Sequence, residues 1–210
     1  MLKKMMIALL ILSGGMLICS PFIKESIIGY LSHQQDWPSA EQAQKNNEKE
    51  ALFDFDAIQP PSFLETLKTG IDQKPKAVIG RITIKSVDIR LPILKGTTNQ
   101  NLLFGAATMR PDQKMGEGNY PLAGHHIRQK SLLFGPLLDI KKGARIVITD
   151  FKKDYIYSVT SKKVMSEMDA AVVFETKEKQ ITLITCDKAE RTDRRLVVKG
   201  TLVQVADHQT

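Results

Sequence analysis

Two cysteines, Cys19 and Cys186, stand in a chain of 210 residues. That is too few for a disulfide framework or an all-cysteine zinc cluster. Cys19 lies in an apolar N-terminal run and reads as one more apolar residue there, which leaves Cys186 as the thiol available for chemistry. It closes the strand-like run Ile181-Thr182-Leu183-Ile184-Thr185-Cys186, and Asp187-Lys188 opens a polar loop. A residue at the last position of a strand stands at a rim that substrate can reach. A free thiol with a pKa of about 8.5 is only about 3% thiolate at pH 7, so a nucleophile needs a base or a positive neighbour. His33 and His208 lie in an appendage and in the tail, whereas His125-His126 end the strand-like Tyr120-Pro121-Leu122-Ala123-Gly124. The small residues of that run are expected to let a substrate approach the backbone. Adjacent histidines on a strand face opposite sides, so a shared metal is not expected. One of them can face Cys186 while the other packs or is solvated. Arg194-Arg195 begin the next strand-like run, and a guanidinium beside the thiol can hold an acyl oxygen or a developing oxyanion. The residues alone leave both arginines open, with Arg194 the better fit to solvent.

These groups need elements to position them. From Ala77 onward the chain turns to short β-rich runs at 78–84, 87–93, 119–125, 145–149, 155–165, 180–186 and 195–205, alternating or continuously apolar. Asn99–Gly105 and Ser131–Ile140 read as short helices. Seven or eight short strands with few helices predict an antiparallel sandwich or a closed barrel. Apolar residues at 42% and charged residues at 25% are the composition of a globular chain,. The length suits one domain with appendages.

The front of the chain differs. Met5 to Ile23 is nineteen residues without a charge; as a helix it spans about 28 Å, close to the hydrocarbon core of a bilayer. No small-x-small cleavage site follows closely, so an uncleaved anchor is expected. Ile18 before Cys19 fits a lipoprotein signal poorly. Lys3 and Lys4 precede the run and Lys24 is the one basic residue over 24–43, which places residues 1–4 in the cytoplasm and everything after Ile23 outside. Residues 24–57 read as an extracellular stalk or juxtamembrane appendage, with Ser39 capping a helix to about Ala51 that ends before Phe53, Phe55 and Pro60-Pro61. Ser62, with Glu65 three residues on, caps a second short helix to Gly70. Residues 58–210 read as the catalytic domain. A net charge of +7 outside a cell points to anionic envelope polymers or lipid head groups rather than nucleic acid, or serves solubility alone.

Thr182-Leu183-Ile184-Thr185-Cys186 resembles the TLxTC signature of the sortases. Leu122-Ala123-Gly124-His125 and Arg195-Leu196-Val197-Val198 resemble the histidine and arginine segments of that family, in the same order. The resemblance runs from about Ala77 to Val205, and the anchor suits class A, the housekeeping group. It implies a mainly β fold, a closed eight-stranded barrel behind one transmembrane helix, and a cysteine transpeptidase at the outer face of a Gram-positive membrane. Such enzymes cleave an LPxTG-type signal between Thr and Gly, hold the surface protein as a thioester, and pass it to an amine of a cell-wall precursor such as lipid II. Carried over by position, Cys186 is the nucleophile, His125 the acid/base, and Arg195 the group that positions substrate and stabilises the oxyanion. His126 receives no role. Ala123, Ile184 and Thr185, beside the two strand ends, are expected to contact substrate.

Some class A members bind calcium through acidic residues before the catalytic histidine. Here that stretch is 109–117, where Arg110 and Lys114 would repel a dication and only Asp112 and Glu117 are acidic, so no metal or other cofactor is expected. Two other functions suit the same residues. One is an anchored cysteine hydrolase in which water resolves the thioester. The other is a non-enzymatic, anchored envelope-binding module whose cysteine is buried.

Overall fold

The computed structural model describes residues 2–33, 36–53, 60–72 and 77–209. Phe55 and the expected domain junction at 57/58 lie outside them. Apolar residues recurring every second position form β1 (Val78–Ile84) and, after a 3-10 turn, β2 (Ile89–Leu94). The remaining strands are β3 (Ala106–Thr108), β4 (Asn119–Ala123), β5 (Arg145–Thr149), β6 (Lys153–Ser166), β7 (Gln180–Cys186) and β8 (Arg194–Asp207). They close into a barrel in the order β1-β2-β3-β4-β7-β8-β6-β5, with β5 back on β1. Closure leaves these strands without a free edge. The interior is filled by side chains such as Ile82, Ile93, Leu122, Tyr157 and Leu183, all fully buried.

The barrel corrects two expectations. It is not wholly antiparallel, because β3 runs parallel to β2 and β4 runs parallel to β7. The helix α4 (Asn99–Phe104), capped by Thr98, carries the chain back so that β3 repeats the direction of β2. Three residues are too few to show a period, so β3 leaves no signal in the sequence. Residues 131–140 form a 3-10 turn over Gly135–Asp139 rather than a helix; Pro136 at its start has no N–H to extend a longer ladder.

Three further helices precede the barrel: α1 (Leu2–Ser32), α2 (Ala40–Glu48) and α3 (Phe63–Asp72). Ser39 Oγ accepts from the Gln42 amide at 3.2 Å, and Ser62 Oγ accepts from the Glu65 amide at 3.2 Å. No unbroken helix among the described residues is long and apolar enough to cross a membrane; Lys3–Gly15 and Ile18–Ser32 together have the length and composition but meet at 41°. Apolar side chains of the first part, among them Leu9, Ile11, Ile18 and Phe22, are exposed, whereas Ile28 and Leu31 are buried against the barrel. Ile28 joins the main core with Leu132 and Phe134, and Lys24 Nζ donates to the Pro61 carbonyl at 3.2 Å. In α2, Asn46 Nδ2 donates to the Val78 carbonyl at 2.9 Å. The Trp37 ring lies under the guanidinium groups of Arg81 and Arg90, 5.4 and 5.7 Å from its centroid. The described parts of the expected stalk are therefore packed on the barrel.

Truncating a fully buried isoleucine removes apolar contact and leaves a cavity. Ile28→Ala should accordingly lower the unfolding free energy of the detergent-solubilised chain by about 2–5 kcal/mol, read as a shift in the urea midpoint. An unchanged midpoint would mean that the end of α1 contributes nothing to the folded barrel.

Candidate active site

Parallel pairing of β4 with β7 sets Ala123 beside Ile184. The register continues one residue further, since the Gly124 amide donates to the Ile184 carbonyl at 3.0 Å. Parallel strands finish at the same rim, so His125 emerges next to Cys186. β8 then returns antiparallel and pairs Arg195 directly with Cys186. Residues directly opposite in a sheet share a face, so Arg195 is the arginine beside the thiol, while Arg194 is exposed. Three groups from distant parts of the chain thus meet at one end of the barrel.

Both histidines are 7% exposed, so neither is solvated. β4 ends at Ala123, so His125 and His126 lie beyond the strand and its alternation does not govern them. His126 Nδ1 lies 3.0 Å from the Cys186 carbonyl oxygen. A carbonyl only accepts, so Nδ1 carries a proton and donates it here. This hydrogen bond braces the main chain of Cys186, and no feature of the sequence announces it. The His125 carbonyl accepts from the Phe134 amide at 3.0 Å, which fixes the turn that carries the imidazole. Gly124 does not open the backbone to substrate as its size suggested; a Cβ there would lie 2.5 Å from the Phe134 ring.

Burial governs the protonation states. It lowers the His125 imidazole to about 4, with the Lys24 charge acting in the same direction. Burial also raises the half-buried Cys186 thiol; the Arg195 charge opposes that rise, and the Asp187 and Glu167 carboxylates add to it. Both shifts favour the uncharged forms of the imidazole and the thiol at pH 7. Arg195 Nη1 donates to the Thr192 and Arg194 carbonyls at 2.8 and 3.1 Å, and Nη2 pairs with Glu167 Oε2 at 2.5 Å. Of five guanidinium N–H donors, two remain for a substrate oxygen: Nε–H and the second hydrogen of Nη2.

The expected substrate contacts line the same end. Ala123, Ile184 and Thr185 are 9%, 7% and 3% exposed. Thr185 Oγ1, Asp187 Oδ1 and the Nε2 atoms of His125 and His126 are buried without a hydrogen-bond partner. Buried polar groups are nearly always paired, so these four near the end of β7 have hydrogen-bonding capacity that a bound molecule could meet; Trp37 Nε1 and Arg81 Nε are likewise unpaired elsewhere. Among the described residues no three His, Cys, Asp or Glu side chains gather as metal ligands.

A thiol raised by burial should be alkylated by iodoacetamide at a rate that keeps climbing through pH 9, because its thiolate forms late. A plateau reached below pH 8 would instead reveal a preformed thiolate–imidazolium pair.

The sortase domain model matches residues 82–203. The chain is 47% identical to Sortase A of Listeria monocytogenes over 204 residues, covering 96% of this chain and 92% of that protein. It is 37% identical to Sortase A of Bacillus anthracis over 198 residues, covering 93% and 91%. The solved structure of Listeria monocytogenes sortase A superposes with a TM-score of 0.63 at 49% identity, over 64% of this chain and 92% of that one. With the barrel, the thiol at its rim and these relatives in agreement, the chain belongs to the sortase family of cysteine transpeptidases.

Proposed function

We propose that this transpeptidase is held in the membrane by residues 5–23, with residues 1–4 cytoplasmic and the barrel outside. There it cleaves LPxTG-type signals between Thr and Gly and joins the surface protein to an amine of a peptidoglycan precursor such as lipid II. The observation that carries this reading is the pairing of Cys186 with Arg195 at the strand end where His125 emerges. The anchor rests on the exposed apolar side chains before Lys24 and on Lys3 and Lys4 ahead of them,.

In this reading Cys186 Sγ attacks the Thr carbonyl carbon while its proton passes to the neutral His125 ring. Negative charge moves to the carbonyl oxygen, where the two uncommitted Arg195 N–H groups donate to it. The tetrahedral species collapses by breaking the C–N bond, and His125 returns the proton to the departing glycine amine. The thioester is then attacked by the acceptor amine, whose proton again goes to His125. Expulsion of the sulfur, reprotonated by the same ring, completes the exchange of one amide for another.

The test incubates the full chain in detergent with an LPxTG peptide and a candidate amine, and identifies products by mass. Peptide cut after Thr and joined to the amine is the expected product, and Cys186→Ala should form none. Release of the free acid alone, whatever amine is added, would move the assignment to a hydrolase. A peptide left intact would overturn the substrate class.

The oxyanion role of Arg195 has a separate readout. Lysine keeps the charge but loses the planar fork, so Arg195→Lys should be nearly as slow as Arg195→Ala, each down by about 10²–10³ in kcat. Near-parent turnover of the lysine variant would show that charge alone is enough.

A further inference from the structure

Arg110 is charged, yet its side chain is only 13% exposed, and it touches two segments far apart in sequence. Its Nε donates to Asp112 Oδ1 at 3.1 Å and Nη2 donates to Asp112 Oδ2 at 3.3 Å, within its own loop. Across from that loop, Nη1 donates to the Val173 carbonyl at 3.2 Å and Nη2 pairs with Glu175. The positive charge that argued against a dication in this loop thus lies between two carboxylates, as the cation that joins them.

The partner segment, residues 167–179, connects β6 to β7. At its start Glu167 holds Arg195, and the Glu167 amide donates to the Asp193 carbonyl at 2.8 Å. The segment also carries Met168 and Phe174, 83% and 59% exposed. Further attachments run to β8, where the Leu202 amide donates to the Lys179 carbonyl at 2.9 Å, to the same loop and to the start of β4. Asn119 Nδ2 donates to the Val172 and Phe174 carbonyls at 2.9 Å each, and the Gln180 amide donates to the Gly118 carbonyl at 2.8 Å. Gly118 has φ +41°, and a Cβ there would collide with the Glu175 carboxylate. Asn119 is further secured from below, its Oδ1 accepting from Thr182 Oγ1 at 2.7 Å.

We propose that Arg110 is a positioning residue that bolts segment 167–179 to the loop before β4, and so holds the wall, with its exposed Met168 and Phe174, that an extended substrate follows to Cys186. The proposal rests on the peptide-cleaving function above. Arg110 touches no reacting group, so its loss should loosen the wall and spare the chemistry.

The experiment compares the full chain with Arg110→Ala, Arg110→Lys, Glu175→Ala and Asp112→Ala. With an LPxTG peptide, Arg110→Ala should raise KM at least ten-fold with kcat within three-fold. Lysine, which keeps the charge but loses the fork, should fall between. Glu175→Ala should raise KM more than Asp112→Ala, because only Glu175 lies across the gap. Hydrogen exchange over 167–179 should quicken about ten-fold in Arg110→Ala, while iodoacetamide alkylates Cys186 at the parent rate. Unchanged exchange, an effect on kcat alone, or equal effects of the two carboxylate variants would each overturn the bolt. A parent chain that leaves the peptide intact would fail the proposed function instead. In that case the exchange rates, with Glu175→Ala set against Asp112→Ala, would still support or overturn the bolt.

Discussion

Everything at the rim depends on the parallel register of β4 and β7. Parallel strands end together, and here the shared end is where one strand delivers histidines and the other a thiol. A slip of one residue in β7 would turn Cys186 to the opposite face of the sheet. The slip is resisted along the whole pair by Leu122 and Leu183, both fully buried, and by the bond from the Thr182 hydroxyl to Asn119. β8 adds the arginine through an ordinary antiparallel return, which requires only a loop of suitable length between Cys186 and Arg194.

Placing these groups out of water costs stability and sets reactivity. An imidazole held near 4 and a thiol held above its usual range both favour their uncharged forms at neutral pH, which suits the proposed exchange of a proton between them. Glu167 acts against the thiol by its charge and restrains the guanidinium by its bond. Among the described residues, Thr185, Asp187 and both histidines carry buried polar atoms without a partner near the end of β7, where a bound peptide backbone could satisfy them,.

Much of this was legible in the chain. β1, β5 and β7 lie where alternation or apolar runs placed them, and the Ser39 and Ser62 caps form as their spacing required. Cys186, the histidine pair and the arginine pair stood out as candidates for a nucleophile, a base and an oxyanion donor, and the strand register brings them to one end of the barrel. What escaped was set by partners distant in sequence. Nothing local to His126 announces that its ring braces the Cys186 carbonyl, and nothing in Gly124 reveals the Phe134 ring packed over it. Arg110 was read only for its repulsion of a dication, because Glu175 lies 65 positions away. Ile28 and Leu31 continue a helix whose earlier apolar residues face outward, so composition could not tell the docked part from the exposed part.

The strand order carries a consequence for how the site comes into being. His125 leaves β4 long before Cys186 is reached, and the intervening chain must first lay down β5 and β6 elsewhere in the barrel before β7 can return to β4. Contacts of such sequence separation form late, since the loop between them must close before any pairing repays it. During synthesis, then, Cys186 lacks its arginine neighbour until residues beyond Arg195 have appeared and β8 has paired with both β7 and β6. Assembly of the site is thereby tied to completion of the barrel.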